Sequence, residues 1–260
     1  MEKFKKLNGK KLEEMVFNEI VNNPTSISEI NKTITHEIKV VAKNDSQIKL
    51  INSIKNNEIT ICSGLAGSGK TYVALAQALS LLKKNGNEYK KIYLIKSVTP
   101  LKGESVGYIK GSLEDKLIPY MWSFNINILK IISENTLKSL NDKKFIETYP
   151  LTYLRGVSLD NCIIILDEAQ NVTIDNAQTV MTRIGENCKL IILGDIDQID
   201  LTNKRDSSLH ILINIFDDVE NIGIIKMSAD DVNIRNPIIT IIQKKFKEFY
   251  KTKNNDKKLV

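Results

Sequence analysis

Gly64-Leu65-Ala66-Gly67-Ser68-Gly69-Lys70-Thr71 decides how this chain is to be read. The stretch fits G-x-x-x-x-G-K-[ST], the phosphate-binding loop of nucleotide hydrolases. Its flanks agree with it. Glu58 to Ser63 (Glu-Ile-Thr-Ile-Cys-Ser) reads as a short buried strand entering the loop, and Tyr72 to Leu82 as the helix leaving it. The glycines let the backbone curl so that successive N–H groups point at phosphate oxygens. The positive end of the helix dipole lies beneath them. Residues Gly64, Leu65, Ala66, Gly67, Ser68 and Gly69 are therefore the expected cradle. Lys70 would add a mobile charge for the β- and γ-phosphates, and the Thr71 hydroxyl is placed to ligate Mg²⁺.

Outward from the loop, apolar strand candidates alternate with helical patterns. The strands are expected at 59–63, 91–96, 162–167, 189–194 and 222–227, and the helices near 71–84, 113–133, 175–184, 206–216 and 237–250. Strands that are apolar throughout and separated by helices imply a parallel sheet covered on both faces, joined by right-handed crossovers. Upstream, Leu12 to Val21 reads as a short amphipathic helix ended by Pro24, and His36 to Ala42 as a strand. Asn44-Asp45-Ser46 offers helix caps before a helix over 47–56. The organisation is one α/β domain at 44–250, an N-terminal extension at 1–43 and a basic tail at 251–260.

Two more motifs belong with the loop. Ile163-Ile164-Ile165-Leu166 ends in Asp167-Glu168 at the carboxyl edge of a strand, where ligands of open α/β sheets bind. Asp167 would hold Mg²⁺ through water, and Glu168 would polarise the water attacking the γ-phosphate. Gly194-Asp195-Ile196-Asp197-Gln198 ends the next strand. In isolation it reads as an Asp-capped turn. After a phosphate loop and an acidic pair it is a helicase-like signature, in which Gln198 senses the γ-phosphate. Gln47 lies eleven residues before Glu58. An amide both donates and accepts, so Gln47 reads equally as a contact to the adenine edge, favouring ATP over GTP, or as a surface helix residue.

Arginine is scarce: Arg155, Arg183, Arg205 and Arg235 are the four in the chain. Where lysine serves for charge elsewhere, a guanidinium points to bidentate contact with phosphate or carboxylate. Each can serve the γ-phosphate, from its own subunit or a neighbour's, and for each a structural salt bridge is the default. Lys96 to Gly111, with three lysines and Tyr108, is a long loop suited to gripping a single strand by charge and stacking; an ordinary surface excursion is the alternative.

Bulk properties narrow the setting. The net charge of +6 over 260 residues is compatible with a nucleic-acid partner, although part of the excess sits in the lysine-rich ends. No apolar run reaches the roughly 20 residues that span a bilayer, and the first residues lack the apolar core of a signal peptide. A cytoplasmic protein with no membrane association is therefore expected. Cys62, Cys162 and Cys188 lack ligand-like spacing and read as core thiols, not as a disulfide framework or a zinc site.

Taken in order, these segments resemble the PhoH-like family of phosphate-loop ATPases from about Gln47 to Ile239. Besides the loop and the acidic strand with Ala169-Gln170-Asn171, the likeness rests on Gly103-Glu104, Gly107-Tyr108 and Gly111. It continues through Tyr153-Leu154-Arg155-Gly156, Thr182-Arg183-Ile184-Gly185, Gln198-Ile199-Asp200-Leu201, Asp231-Val232 and Arg235-Asn236-Pro237. The resemblance implies a single RecA-like core related to superfamily 1 helicases, with a further strand between the loop strand and the acidic strand. It implies ATP as ligand, a ring in some members, and roles in RNA metabolism with links to ribonucleases. Three positions depart from the family pattern. Lys96-Ser97 stands where Arg-Pro is usual, Thr202 replaces a proline, and an extra residue precedes Arg235.

The expected activity is Mg²⁺-dependent ATP hydrolysis coupled to RNA or single-stranded DNA. Lys70, Glu168 and Gln198 would act in it, with Arg183 or Arg235 completing the charge clamp. A homo-oligomer, in hexameric ring form for some members, would supply the face that one RecA-like domain lacks. The alternative is a nucleotide-gated partner of a ribonuclease with little turnover. A metabolic kinase fits worse, because it needs a hydroxyl acceptor site and usually lacks a water-activating Glu.

Overall fold

A computed structural model describes residues 27–84, 89–96, 122–154 and 158–228, and positions 238, 241–242, 245–246 and 248–249 of a C-terminal helical stretch. The expected helix at 12–21, the loop over 97–111 with Tyr108, Arg155, Arg235 and the tail at 251–260 lie outside the described residues.

Six parallel strands form one sheet: β1 (Ile59–Ser63), β2 (Lys91–Lys96), β3 (Ile146–Pro150), β4 (Cys162–Asp167), β5 (Lys189–Gly194) and β6 (Ile222–Lys226). Their order across the sheet is β3-β2-β4-β5-β1-β6. β5 therefore lies between the loop strand β1 and the acidic strand β4, the arrangement of a RecA-like core. The helices are α1 (Ile27–Thr33), α2 (Asp45–Asn56), α3 (Lys70–Lys83), α4 (122–128), α5 (Glu134–Asp142), α6 (Ile174–Met181) and α7 (Ser208–Ile215).

Strand alternation divides the core into two layers. Cys62, Ile163, Ile165, Ile191 and Leu193 face one side, with Val73, Leu75, Leu79 and Leu50 from α3 and α2 packed over them. Ile61, Ile164, Leu166, Leu190 and Ile192 face the other, beneath Ala177 and Val180 of α6 and Leu209 and Leu212 of α7. β4 and β5 are buried along their whole lengths. The near-continuous Ile/Leu runs are thus required on both faces.

Two local departures from the sequence reading have simple causes. His36 to Ala42 forms no ladder. Ile38 is buried in the core while Val41 is 64% exposed, and the edge beside β1 is already taken by β6. In the other direction, β3 and α5 escaped notice. β3 is an edge strand whose Ile-Glu-Thr-Tyr-Pro mixes polar and apolar residues, so it lacks the buried-strand pattern. Glu147 on it accepts from Lys91 at 2.8 Å and from the Tyr149 hydroxyl at 2.9 Å, which pins the edge to β2.

All three cysteines are buried and none is in a disulfide. Cys162 and Cys188 meet at 3.3 Å between Sγ atoms, as neighbours at the starts of β4 and β5. The hydrogen bond with Cys188, and then burial, push the Cys162 thiol up. Among the described residues no helix is long and apolar enough to cross a membrane.

Candidate nucleotide site

The register of the sheet assembles the site. Ser63 at the end of β1 pairs with Gly194 at the end of β5. Lys96 at the end of β2 pairs with Asp167 at the end of β4. Four strand ends thus share one edge, which carries a cavity of about 470 Å³. Ala66, Gly67, Gly69, Lys70 and Thr71 line it, as do Gln47, Asp167, Glu168, Asp195 and Gln198.

Gly67 and Gly69 hold positive φ angles of 92° and 86°, a region in which a side chain would be strained. That backbone turns the loop N–H groups inward just ahead of α3. Lys70 is 8% exposed and folds back over the loop, donating to the carbonyls of Gly64 and Leu65, the latter at 3.0 Å. Ala66 donates its N–H to Asp195 Oδ2 at 2.9 Å.

The acidic pair divides its work by geometry. Asp167 is 6% exposed, and Thr71 Oγ1 donates to it, 3.2 Å from Oδ2. Burial pushes the Asp167 carboxyl up to about 6, and the charge of Glu168 adds to this; Lys96, the Glu168 N–H and Lys70 pull the other way. A buried carboxylate beside a hydroxyl, with phosphate oxygens and water to complete the shell, is the hard-oxygen donor set that Mg²⁺ takes. Thr71 and Asp167 fit such an ion. Glu168 adopts φ 57°, ψ 39°, a left-handed conformation at a residue that is not glycine. The kink turns its carboxylate out of the strand and toward the cavity, where Lys96 Nζ lies 3.9 Å from it.

Gln198 donates its amide N–H to Asp195 Oδ2 at 2.9 Å. Asp195 is itself 4% exposed and also accepts from the Asp197 N–H at 3.0 Å. Burial raises its carboxyl, against the pull of the Asp197 N–H, Lys70 and the Ala66 N–H. Gln170 completes the set. Its Nε2 donates to Glu168 Oε2 at 2.7 Å, and its Oε1 accepts from the Asp195 N–H at 3.0 Å.

Gln47 is not a surface residue, and Arg183 stands away from the cavity. Gln47 is 2% exposed; its Nε2 donates to the Ser68 carbonyl at 2.9 Å and its Oε1 accepts from Lys43 N at 2.8 Å. The amide braces the loop, and one N–H and one acceptor position remain for a base. Arg183 does not line the cavity. Its carbonyl accepts from Leu159 N at 2.9 Å, where the chain enters β4, and so it stands at the opposite edge of the sheet from Asp167. The six residues of β4 from Cys162 to Asp167 already separate the two edges by roughly 17 Å. Arg183 therefore cannot touch a phosphate held by its own chain. Arg205 lies in a short 3₁₀ turn and is exposed.

Several lining residues carried no signal of their own. Val41, Lys43, Tyr72, Asn127 and Lys130 also line the cavity. Asn127 and Lys130 come from α4 and the turn after it, which the sequence shows only as part of a helical pattern. Gln170 and Asp195 sit inside recognisable motifs, but their roles depend on which strands become neighbours.

The family model described as PhoH-like protein matches residues 39–247. A PhoH-like protein of Synechocystis is 35% identical over 208 residues, covering 80% of this chain and 62% of that protein. One of Bacillus subtilis is 34% identical over 200 residues, covering 77% and 61% respectively. The chain thus spans about three-fifths of the length of these relatives. Among solved structures, the large terminase of bacteriophage HK97 aligns at a TM-score of 0.43 and 16% identity, covering 79% of this chain and 44% of that one. With its loop strand, acidic strand and intervening β5 in one parallel sheet, and with the family model spanning most of its length, the chain belongs to the PhoH-like family.

Proposed function

We propose that the chain is a Mg²⁺-dependent ATPase whose turnover is coupled to RNA or single-stranded DNA. The observation that carries this reading is the convergence on one cavity of the glycine loop, the Thr71–Asp167 contact, Glu168 and Gln198. Thr71 and Asp167 would hold Mg²⁺, which when bound neutralises charge on the β- and γ-phosphates. The loop N–H groups and Lys70 bind the phosphates. Glu168 accepts a proton from a water as its oxygen bonds to the γ-phosphorus, while the bond to the β–γ bridging oxygen breaks and ADP departs with those electrons. Gln198 orients that water or the γ-phosphate. Positioning and electrostatics account for most of the rate.

The cavity is a single-domain site, and Arg183 lies on the far edge of its own sheet. A guanidinium for the transition state would then come from Arg235 or from a neighbouring subunit, the latter in keeping with a homo-oligomer. The chain's basic balance supports a nucleic-acid partner. Phosphate release from Mg·ATP, measured with and without RNA and single-stranded DNA alongside the mass in solution, tests the reading. Stimulation by a single strand is expected, from an oligomer. A Glu168→Gln variant should keep nucleotide affinity and lose hydrolysis. Tight binding with negligible turnover in the parent would favour the nucleotide-gated partner of a ribonuclease instead.

A further inference from the structure

We propose that Gln170 is a positioning residue: its buried amide fixes the Glu168 carboxylate and ties it to the Asp195 end of β5. The proposal rests on the reading of Glu168 as the base. Gln170 is 1% exposed, and both ends of its amide are occupied. One end donates to Glu168 Oε2 at 2.7 Å and the other accepts from Asp195 N at 3.0 Å. A buried amide so placed resists rotation, because turning it would leave a donor facing a donor and an acceptor facing an acceptor.

Gly194 shows that the space is built for this amide. A Cβ there would lie 2.4 Å from Gln170 Oε1. Any side chain at 194 would push the amide off Asp195. Beyond Asp195 the chain of contacts continues. The carboxylate of Asp195 accepts from Ala66 N in the phosphate loop and from the Gln198 amide, both at 2.9 Å. An unbroken hydrogen-bonded path thus runs from loop and sensor through Asp195 and Gln170 to the carboxylate that would activate water. An anionic phosphate arriving at Ala66 N–H competes with the Asp195 carboxylate for that donor. Displacement of Asp195 is then felt at Glu168 through one rigid amide.

The expected behaviour differs from that of a packing residue. Gln170→Met keeps the volume and removes both hydrogen bonds. It should lower kcat by about 10- to 100-fold while KM and the Kd for Mg·ATP stay within about two-fold. In a Glu168→Gln background the same change should add almost nothing, because its effect passes through Glu168. Gln170→Leu likewise removes both hydrogen bonds at similar volume; it serves where the Met variant does not fold, and should show the same loss of kcat. Unchanged kcat in a folded variant, a parallel loss of kcat and nucleotide affinity, or full additivity with Glu168→Gln each overturns the proposal. Glu168→Gln alone is the separating control. If it retains turnover, the reading of Glu168 as base fails; if it abolishes turnover while Gln170→Met is silent, only the role of Gln170 fails.

Discussion

Asp167 sits where burial and a neighbouring carboxylate both disfavour its charge, and its carboxyl is raised from an ordinary 3.8 to about 6. Between those values the folded protein holds a proton that the unfolded chain has lost, so this group's contribution to stability falls as pH rises through the window. Above it the ionised carboxyl costs the metal-free fold about 3 kcal/mol. Asp167→Asn should therefore raise the melting temperature at pH 8, with the gain shrinking toward pH 4, while Mg²⁺-dependent turnover is lost. Thermal melts across that range would expose a failure as a pH-independent difference. Lys70 is buried and directs its hydrogen bonds to neutral partners, the carbonyls of Gly64 and Leu65 and, at 3.4 Å, the Ser68 hydroxyl. Lys70→Ala should leave the fold intact and weaken Mg·ATP at least ten-fold in calorimetry; parental affinity would remove the phosphate role. The candidacy of Lys70 and Asp167 as phosphate and metal contacts was readable from residue type and spacing. The raised carboxyl was not, because it depends on burial.

At the scale of elements, α2 positions the loop. Asn44 caps it by accepting from Gln47 N at 2.9 Å, and Gln47 one turn later reaches Ser68. The cap was legible, since Asn before a helical run satisfies an orphan N–H. The reach to Ser68, 21 residues on, was not. The contrast gives a clean test of Gln47. A brace for the loop serves every nucleotide alike, whereas a contact to the adenine edge discriminates. Gln47→Met should weaken ATP and GTP by the same factor, about five-fold for the lost hydrogen bond to the loop. A loss confined to ATP would restore the base-reading role. The buried strands were legible for the reason that edge strand β3 was not: double burial leaves an unbroken apolar run, and an edge does not.

In the whole molecule, the core extends upstream of the segment matched by the family model, which begins at residue 39. Ile30 and Ile34 are fully buried, and Ile38 joins the same layer as Leu79 and Leu140. α1 therefore packs as part of the body. Ile30→Ala should cost about 2–5 kcal/mol in denaturant unfolding; a loss below 1 kcal/mol would mean that α1 is dispensable.

The chain's own letters determined the fold class and the chemistry available. A glycine loop between a buried strand and a helix, an apolar strand ending in two acids, and a third ending in Gly-Asp are local patterns, and local patterns follow from propensity and periodicity. Tertiary structure decided which of those residues meet. Strand order placed β5 between β1 and β4, and so brought Asp195 to Ala66 and to Gln170. The parallel sense of the strands left Arg183, at the entry to β4 and β5, on the far edge of the sheet. Pairing across a sheet is a choice among partners distant in sequence, and it is settled by burial and packing of the whole rather than by any one segment.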